Sequence, residues 1–167
     1  MTEHRITRDT PTHRRWDVDV PPVVFAQPGD TVVAETDDFA AGQITRDSPA
    51  SRLMELDFDL IYPLAGPVHV EGAEPGDALA IEVLGFDLPD WGWSCIIPGF
   101  GLLPPGEFAE PVLRIFDLTD GDTTELCPGV RIPIEPFCGT MGVPGPGMRD
   151  TPIPPPHAGG GNVDCRH

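Results

Sequence analysis

The chain contains no lysine. Its ten basic residues are all arginine, against 27 Asp and Glu, and the formal net charge is -17. Without a lysine amine, this chain alone cannot supply a mechanism that needs lysine as a base or to form a Schiff base. Nucleic acid is not an expected partner, because affinity for a phosphate backbone comes from clustered positive charge. The acidic, lysine-free composition fits either adaptation to high salt or a GC-rich genome.

Paired cysteines and long apolar runs are also lacking. The four cysteines form no CxxC pair, and no apolar stretch approaches the roughly 20 residues that span a bilayer. No secretory signal is recognisable in the sequence. We therefore expect a reduced, cytoplasmic protein that does not enter the membrane.

Proline and glycine are abundant and divide the sequence into short segments rich in Val and Ile. Pro28-Gly29 and Pro75-Gly76 predict type II turns, because glycine accepts the positive φ at the third position. Residues 48–54 predict one short helix, and residues 94–101 predict an irregular apolar loop. The remaining segments alternate or cluster apolar residues as strands do: 23–26, 31–35, 57–62, 66–71, 78–83, 111–118 and 131–134.

These elements predict a mainly β fold, a β-sandwich with one short helix and long Pro/Gly-rich loops. Residues 1–15 hold little apolar content, and we expect a poorly ordered lead-in. Residues 16–135 form the predicted β-sandwich domain. Residues 136–167 form a Pro/Gly-rich segment that runs over another surface and carries part of the candidate site.

The densest group of reactive side chains lies in the glycine-rich segment 157–167. His157 and Asp164 lie on either side of three glycines, so a mobile loop could present both to one cation, with imidazole and carboxylate as zinc ligands. The alternative is a flexible, solvated tail. Cys165 could act as a nucleophile with His157 or His167 as base, but a single cysteine is more often a small packed side chain.

One block of the sequence, from Gly66 to Asp77, is long, ungapped and distinctive. Further distinctive segments are Trp16 to Pro22, Pro28-Gly29-Asp30, Thr36-Asp37-Asp38 ahead of Gly42-Gln43-Ile44, Ile97 to Gly101, and His157 to Asp164. Together these segments resemble the acetamidase/formamidase family of amide hydrolases, and the block from Gly66 to Asp77 carries most of the resemblance.

The resemblance implies a jelly-roll-like β-sandwich with added α/β parts, and hydrolysis of short linear amides to carboxylate and ammonia. It also implies a cytoplasmic homo-oligomer and a divalent metal, zinc being the first choice. Asp38 and Glu71 become the candidate catalytic residues; Glu71 lies in the strongest motif without an assigned role. His157 and Asp164 become the candidate metal ligands, and a carboxylate would pass a proton to the departing ammonia.

The resemblance covers the front half of the family's usual length. Two alternatives to a self-sufficient enzyme therefore remain. The chain is a catalytically silent fragment, or it is one subunit of a split amidase that needs a complementing C-terminal half. Ile96, Ile97 and Phe100 would then lie at the docking face. A small β binding module unrelated to amides is the third possibility.

Overall fold

The computed structural model describes residues 1–104, 106–153 and 156–163. Short strands dominate this part of the chain, and the predicted mainly β class is confirmed. In the described ranges no helix has the length and apolar character needed to cross a membrane. The strands are β1 (Glu3–Ile6), β2 (Trp16–Asp17), β3 (Val24–Ala26), β4 (Thr31–Ala34), β5 (Val68–Val70), β6 (Trp91–Ile96), β7 (Val112–Asp117), β8 (Thr123–Cys127), β9 (Val130–Pro133), β10 (Thr140–Gly142), β11 (Arg149–Asp150) and β12 (Gly160–Asn162).

The strands pair two by two. Among the described residues, β1 pairs with β4 and β3 with β5 in parallel, whereas β2–β11, β6–β7, β8–β9 and β10–β12 are antiparallel. Several of these pairs join segments far apart in sequence, as when Trp16 of β2 pairs with Asp150 of β11. The mainly β class is thus built partly from non-local pairs, and the sandwich arrangement stays a prediction.

The chain divides into two compact units. The first comprises the described residues of 1–42, 58–83 and 137–167, and the second those of 43–57 and 84–136. In the first unit, Ile6, Val24 and Ala26 form a buried apolar cluster against which Val32 and Ala65 pack. In the second, the fully buried residues include Ile44 and Leu53, the latter from the 3-10 helix Ala50–Glu55. This helix confirms the short helix predicted at 48–54, but it begins two residues later and ends one residue later.

Part of the expected lead-in, residues 1–15, is tied to the first unit. Ile6 ends β1 and is only 3% exposed. At the other end of β1, Asp30 accepts hydrogen bonds from the Thr2 backbone N–H (2.6 Å) and from His4 Nε2 (3.1 Å). The Thr2 bond, followed by those of His4 and Gln27, lowers the pKa of Asp30 from 3.8 to about 2. The domain boundary at residue 16 stays a prediction.

The two predicted Pro-Gly turns are confirmed. Gly29 and Gly76 have φ of 89° and 108°. The turns close through hydrogen bonds from Asp30 N–H to Gln27 C=O and from Asp77 N–H to Glu74 C=O, each 3.0 Å. Local turn chemistry therefore fixes these two reversals.

Three local predictions are wrong. Residues 57–62 form no strand, and Tyr62 has a left-handed backbone (φ 54°) that extended structure does not accept. Residues 78–83 form no strand either, because no described segment pairs with them. Residues 94–96, predicted as loop, complete strand β6, since β7 pairs with β6 along its whole length.

Candidate functional site

The turn at residues 157–160 folds tightly onto itself. The His157 N–H donates to Gly160 C=O (2.7 Å), and the Gly160 N–H donates back to His157 C=O (3.0 Å). Strand β12 leaves this turn and pairs with β10, with Gly160 opposite Gly142 and Asn162 opposite Thr140. The Val143 N–H also donates to Gly159 C=O (2.8 Å). The glycine-rich segment is therefore held against β10.

The glycines in this turn are required by close packing. A Cβ on Gly159 would lie 2.1 Å from the Val143 carbonyl oxygen, and one on Gly160 would lie 2.5 Å from the Met141 carbonyl oxygen. Opposite them, a Cβ on Gly142 would lie 2.6 Å from the Gly161 nitrogen. Such distances are below any real Cβ contact, so side chains at these positions would push the two strands apart.

The imidazole of His157 is fixed by this turn. The Gly159 N–H donates to His157 Nδ1 (3.1 Å), and the ring meets Trp16 edge to face with centroids 5.6 Å apart. Because a backbone N–H can only donate, Nδ1 is the acceptor, and a neutral ring carries its proton on Nε2. His157 Nε2 is buried and has no hydrogen-bond partner among the described residues. A buried N–H without an acceptor is unfavourable, which marks this atom as a point where another group belongs.

A metal centre at His157 is not completed by the described residues. No group of three or more His, Cys, Asp or Glu side chains that could hold a metal occurs within residues 1–104, 106–153 and 156–163. With Nδ1 accepting the Gly159 bond, Nε2 presents a proton rather than a lone pair to a cation. Asp164, the second predicted ligand, lies outside the described residues, as do Cys165 and His167. The metal site stays a prediction.

Asn162 connects β12 to the rest of the first unit. Its Nδ2 donates to the Tyr62 hydroxyl (3.4 Å) and to Ile153 C=O (3.5 Å), and its Oδ1 accepts from the Thr140 hydroxyl (3.3 Å). These bonds join a residue at the end of β12 to one a hundred positions earlier in the sequence. Asn162 thus places Tyr62 beside the strand that leaves the His157 turn.

The loop of Asp38 reaches the same Tyr62. Asp38 Oδ1 accepts hydrogen bonds from the backbone N–H of Ala40 (2.7 Å) and of Gly42 (3.5 Å), so this carboxylate orders its own loop. The Tyr62 N–H donates to Phe39 C=O (2.9 Å), and the two rings meet edge to face with centroids 5.0 Å apart. The loop of Asp38 and the His157 turn are therefore linked through Phe39, Tyr62 and Asn162.

Backbone strain is concentrated in this linkage. Ala41 (φ 53°) and Tyr62 (φ 54°) are the non-glycine residues with positive φ in the described part of the chain. Ala41 lies in the Asp38 loop, and Tyr62 contacts that loop. Such conformations persist only where the surrounding contacts hold them, and they are frequent at functional sites.

Glu71 has a different set of contacts. Its N–H donates to Ala26 C=O (2.9 Å) at the end of β5, and its carboxylate faces His69 Nε2 at 3.9 Å. The His69 ring in turn contacts Phe25 (5.3 Å between centroids). Within the described ranges, no hydrogen bond or ion pair joins Glu71 to Asp38 or His157, so the structure brings Asp38 and His157 into one network and Glu71 into another.

A small cavity adjoins this network. Its volume is about 170 Å³, and its wall includes Tyr62, Ile153, Arg15, Asp59 and Pro152. Tyr62 and Ile153 are both hydrogen-bond partners of Asn162. The cavity has room for several water-sized groups and hence for a molecule of three or four heavy atoms.

A larger cavity of about 380 Å³ lies within the second unit, but several of its charged side chains are already bound by neighbouring residues. Arg131 is ion-paired with Asp120 and donates to the Thr123 hydroxyl (2.8 Å), while the hydroxyl and N–H of Thr119 lower the pKa of Asp117. None of the residues predicted as site residues lines either cavity, but Tyr62 in the wall of the smaller cavity links the Asp38 loop to Asn162 of β12. We therefore place the candidate site at the smaller cavity of the first unit.

Sequence reasoning missed Tyr62 and Asn162. Two signals could have found them: Tyr62 is the sole tyrosine of the chain, and Asn162 follows directly on the three glycines singled out in the sequence. Neither signal indicates that the two side chains meet, because their contact depends on where β12 lies.

The model of the Acetamidase/Formamidase family matches residues 1–151 of this chain. The matched range contains Asp38, Tyr62 and Glu71. The His157 turn and Asn162 lie beyond it.

Known proteins of that kind are longer than this chain. A formamidase from Methylophilus methylotrophus is 36% identical over 123 residues, which are 70% of this chain and 30% of the formamidase. An acetamidase from Mycolicibacterium smegmatis is 36% identical over 74 residues, 44% of this chain and 18% of that protein. The crystal structure of an acetamidase from Bacillus halodurans superposes with a TM-score of 0.83 at 33% identity, covering 96% of this chain and 52% of that one. The chain spans less than a third of these two curated relatives and about half of the solved structure.

Proposed function

Because the chain belongs to the acetamidase/formamidase family, we propose that it forms part of an enzyme hydrolysing short linear amides to a carboxylate and ammonia. The observation that carries the proposal is the family match over residues 1–151, supported by relatives named formamidase and acetamidase. A cytoplasmic location and a homo-oligomeric state belong to the same proposal.

The amide is proposed to enter the cavity of about 170 Å³ beside Tyr62. The size of this cavity supports a substrate of the formamide or acetamide type. Arg15 and Asp59 supply polar wall groups that can hydrogen-bond an amide, while Ile153 and Pro152 supply apolar wall. Asn162 acts here as a positioning residue, because it binds both Tyr62 and Ile153.

Hydrolysis requires that water add to the amide carbonyl carbon and that the C–N bond break as the nitrogen gains a proton. We assign the proton transfer to Asp38, which is not itself a wall residue of the cavity but whose loop is bound to the wall residue Tyr62 by the hydrogen bond from Tyr62 N–H to Phe39 C=O. Its Oδ1 is held by the Ala40 and Gly42 N–H groups, and its Oδ2 accepts no hydrogen bond from the described residues. A carboxylate fixed through one oxygen can take a proton from water and return it to the departing ammonia through the other.

A divalent cation, with zinc as the first choice, would polarise the amide carbonyl when bound. His157 and Asp164 remain the proposed ligands. The His157 geometry does not fit this role unless the Gly159 hydrogen bond is given up, so the proton transfer by Asp38 is written without the metal.

The test measures ammonia release from formamide and acetamide by this chain, alone and together with the part of the Bacillus halodurans acetamidase that has no counterpart here. Asp38→Asn should lower kcat by about 100-fold, the usual contribution of a general acid–base group. Asp37→Asn, an exposed neighbour, should leave kcat within about twofold and serves as the control.

Three outcomes separate the candidates. Activity of the chain alone supports a self-sufficient amidase, and activity only with the second polypeptide supports a split enzyme. Absence of ammonia release in both settings refutes the amidase proposal and favours a silent fragment. Metal analysis of the active preparation tests separately whether zinc is bound.

A further inference from the structure

Residues 78–83, Ala-Leu-Ala-Ile-Glu-Val, form an exposed segment at the end of the Glu74–Asp77 turn. Every residue from 78 to 83 is exposed, including Leu79 (43%), Ile81 (58%) and Val83 (49%). The backbone N–H and C=O groups of this segment make no hydrogen bond with any described residue. We call residues 78–83 the open segment.

The sequence of the open segment is that of a strand. Leu79, Ile81 and Val83 alternate with Ala80 and Glu82, and Ile and Val are residues that strands favour. A strand is stable only when its backbone groups are paired and one face is covered. The open segment therefore has the pattern of a strand without the neighbour that completes it.

The comparison with a solved relative supplies a candidate for that neighbour. The Bacillus halodurans acetamidase matches 96% of this chain with only 52% of its own length, so nearly half of that protein has no counterpart here. A second copy of this chain is the alternative partner at this edge, and the experiment below distinguishes it by concentration dependence.

We propose that the open segment accepts a β-strand from the part of the family that extends beyond the matched region. Main-chain hydrogen bonds would give the affinity, and Leu79, Ile81 and Val83 would give one apolar face for specificity. The proposed partner strand pairs with the open segment in the same way whether that part of the family follows in one polypeptide or is a separate chain. The proposal concerns binding and holds whether or not the assembled protein hydrolyses amides.

The experiment is backbone hydrogen exchange on this chain, alone and mixed with the unmatched part of the Bacillus halodurans acetamidase. That probe must first be shown to bind the matching half of its own protein, which establishes that it is competent. Slowed exchange at residues 78–83 upon mixing, by tenfold or more, supports the proposal. No binding, or binding without slowed exchange there, overturns it. If exchange at residues 78–83 slows in this chain alone as its concentration rises, a second copy occupies the segment. That result also overturns the proposal.

Proline substitutions test the strand pairing itself. Successive N–H groups of a strand point to opposite sides, so either Ile81→Pro or Glu82→Pro removes a donor that faces the partner. At least one of the two should weaken binding of the probe by tenfold or more, whereas Ile81→Val keeps the donor and should bind within about twofold. Equal affinity of both proline variants and the parent would refute strand addition. The unfolding transition of each variant alone should match the parent, because residues 81 and 82 contact no described residue by hydrogen bond.

Discussion

Gly159→Ala is the sharpest perturbation of the candidate site. Gly159 does not have a positive φ, so alanine is acceptable to its own backbone. The added methyl would lie 2.1 Å from the Val143 carbonyl oxygen, whereas ordinary van der Waals contact begins near 3.4 Å. The turn and β10 must therefore separate by about 1.3 Å.

That separation would break the hydrogen bonds that hold the turn and β12 against the β10 segment. Two are at risk: Val143 N–H to Gly159 C=O (2.8 Å) and, at the other end of the pair, Val163 N–H to Gly139 C=O (2.9 Å). At about 1 kcal/mol each, their loss lowers the free energy of unfolding by about 2 kcal/mol. Gly145→Ala is the matched control, because it has no positive φ and nothing lies within 4 Å of its added Cβ.

The assay is urea unfolding of both variants and the parent, followed by tryptophan fluorescence because Trp16 contacts the His157 ring. Gly145→Ala should unfold within about 0.5 kcal/mol of the parent. A Gly159→Ala variant as stable as the Gly145→Ala control would show that the turn is not packed on Val143. The three glycines would then serve only as a flexible linker.

Three further predictions concern the same unit. Ala41→Gly should raise the free energy of unfolding by roughly 0.5–1 kcal/mol, because glycine removes the strain of an alanine with a left-handed backbone. Ala34→Gly in β4 is the control and should lower the free energy of unfolding by a similar amount. Effects of the same sign in thermal unfolding would contradict this reasoning. Asp30→Asn should lower the free energy of unfolding at neutral pH. The difference from the parent should shrink as pH falls from 3.8 towards about 2, because the hydrogen bonds that lower the pKa of Asp30 stabilise only the ionised carboxylate. A difference that does not change with pH would argue against that cause. Asn162→Ala and Tyr62→Phe should show a coupling of roughly 0.5–1 kcal/mol in a double-mutant cycle of unfolding free energies, and strict additivity would mean that their hydrogen bond contributes nothing.

The sequence-based predictions were correct where residues adjacent in the chain decide the structure and failed where distant segments must pair. The turns at Pro28-Gly29 and Pro75-Gly76 were predicted correctly because the dihedral preferences of two adjacent residues decide them. The strand predicted at 78–83 failed for the opposite reason. Its composition suits a strand, but a strand requires a neighbour, and the described residues supply none.

The candidate site shows the same limit. The sequence singled out His157 and Asp38 as separate residues, and the structure joins their loops through Tyr62 and Asn162. It also changes the meaning of the glycines at 159–161. Their number suggested mobility, whereas the close approach of β10 makes a hydrogen atom the only side chain that fits at Gly159.

The sequence by itself determined the family, the mainly β class, the Pro-Gly turns and the absence of any lysine chemistry in this chain. These properties depend on residue identities and on neighbours in the chain. Only the tertiary structure decided that Asn162 meets Tyr62, that the His157 turn is held against β10, and that residues 78–83 are left unpaired. Each of these depends on segments far apart in sequence coming within hydrogen-bond distance, or failing to, and no local preference specifies that.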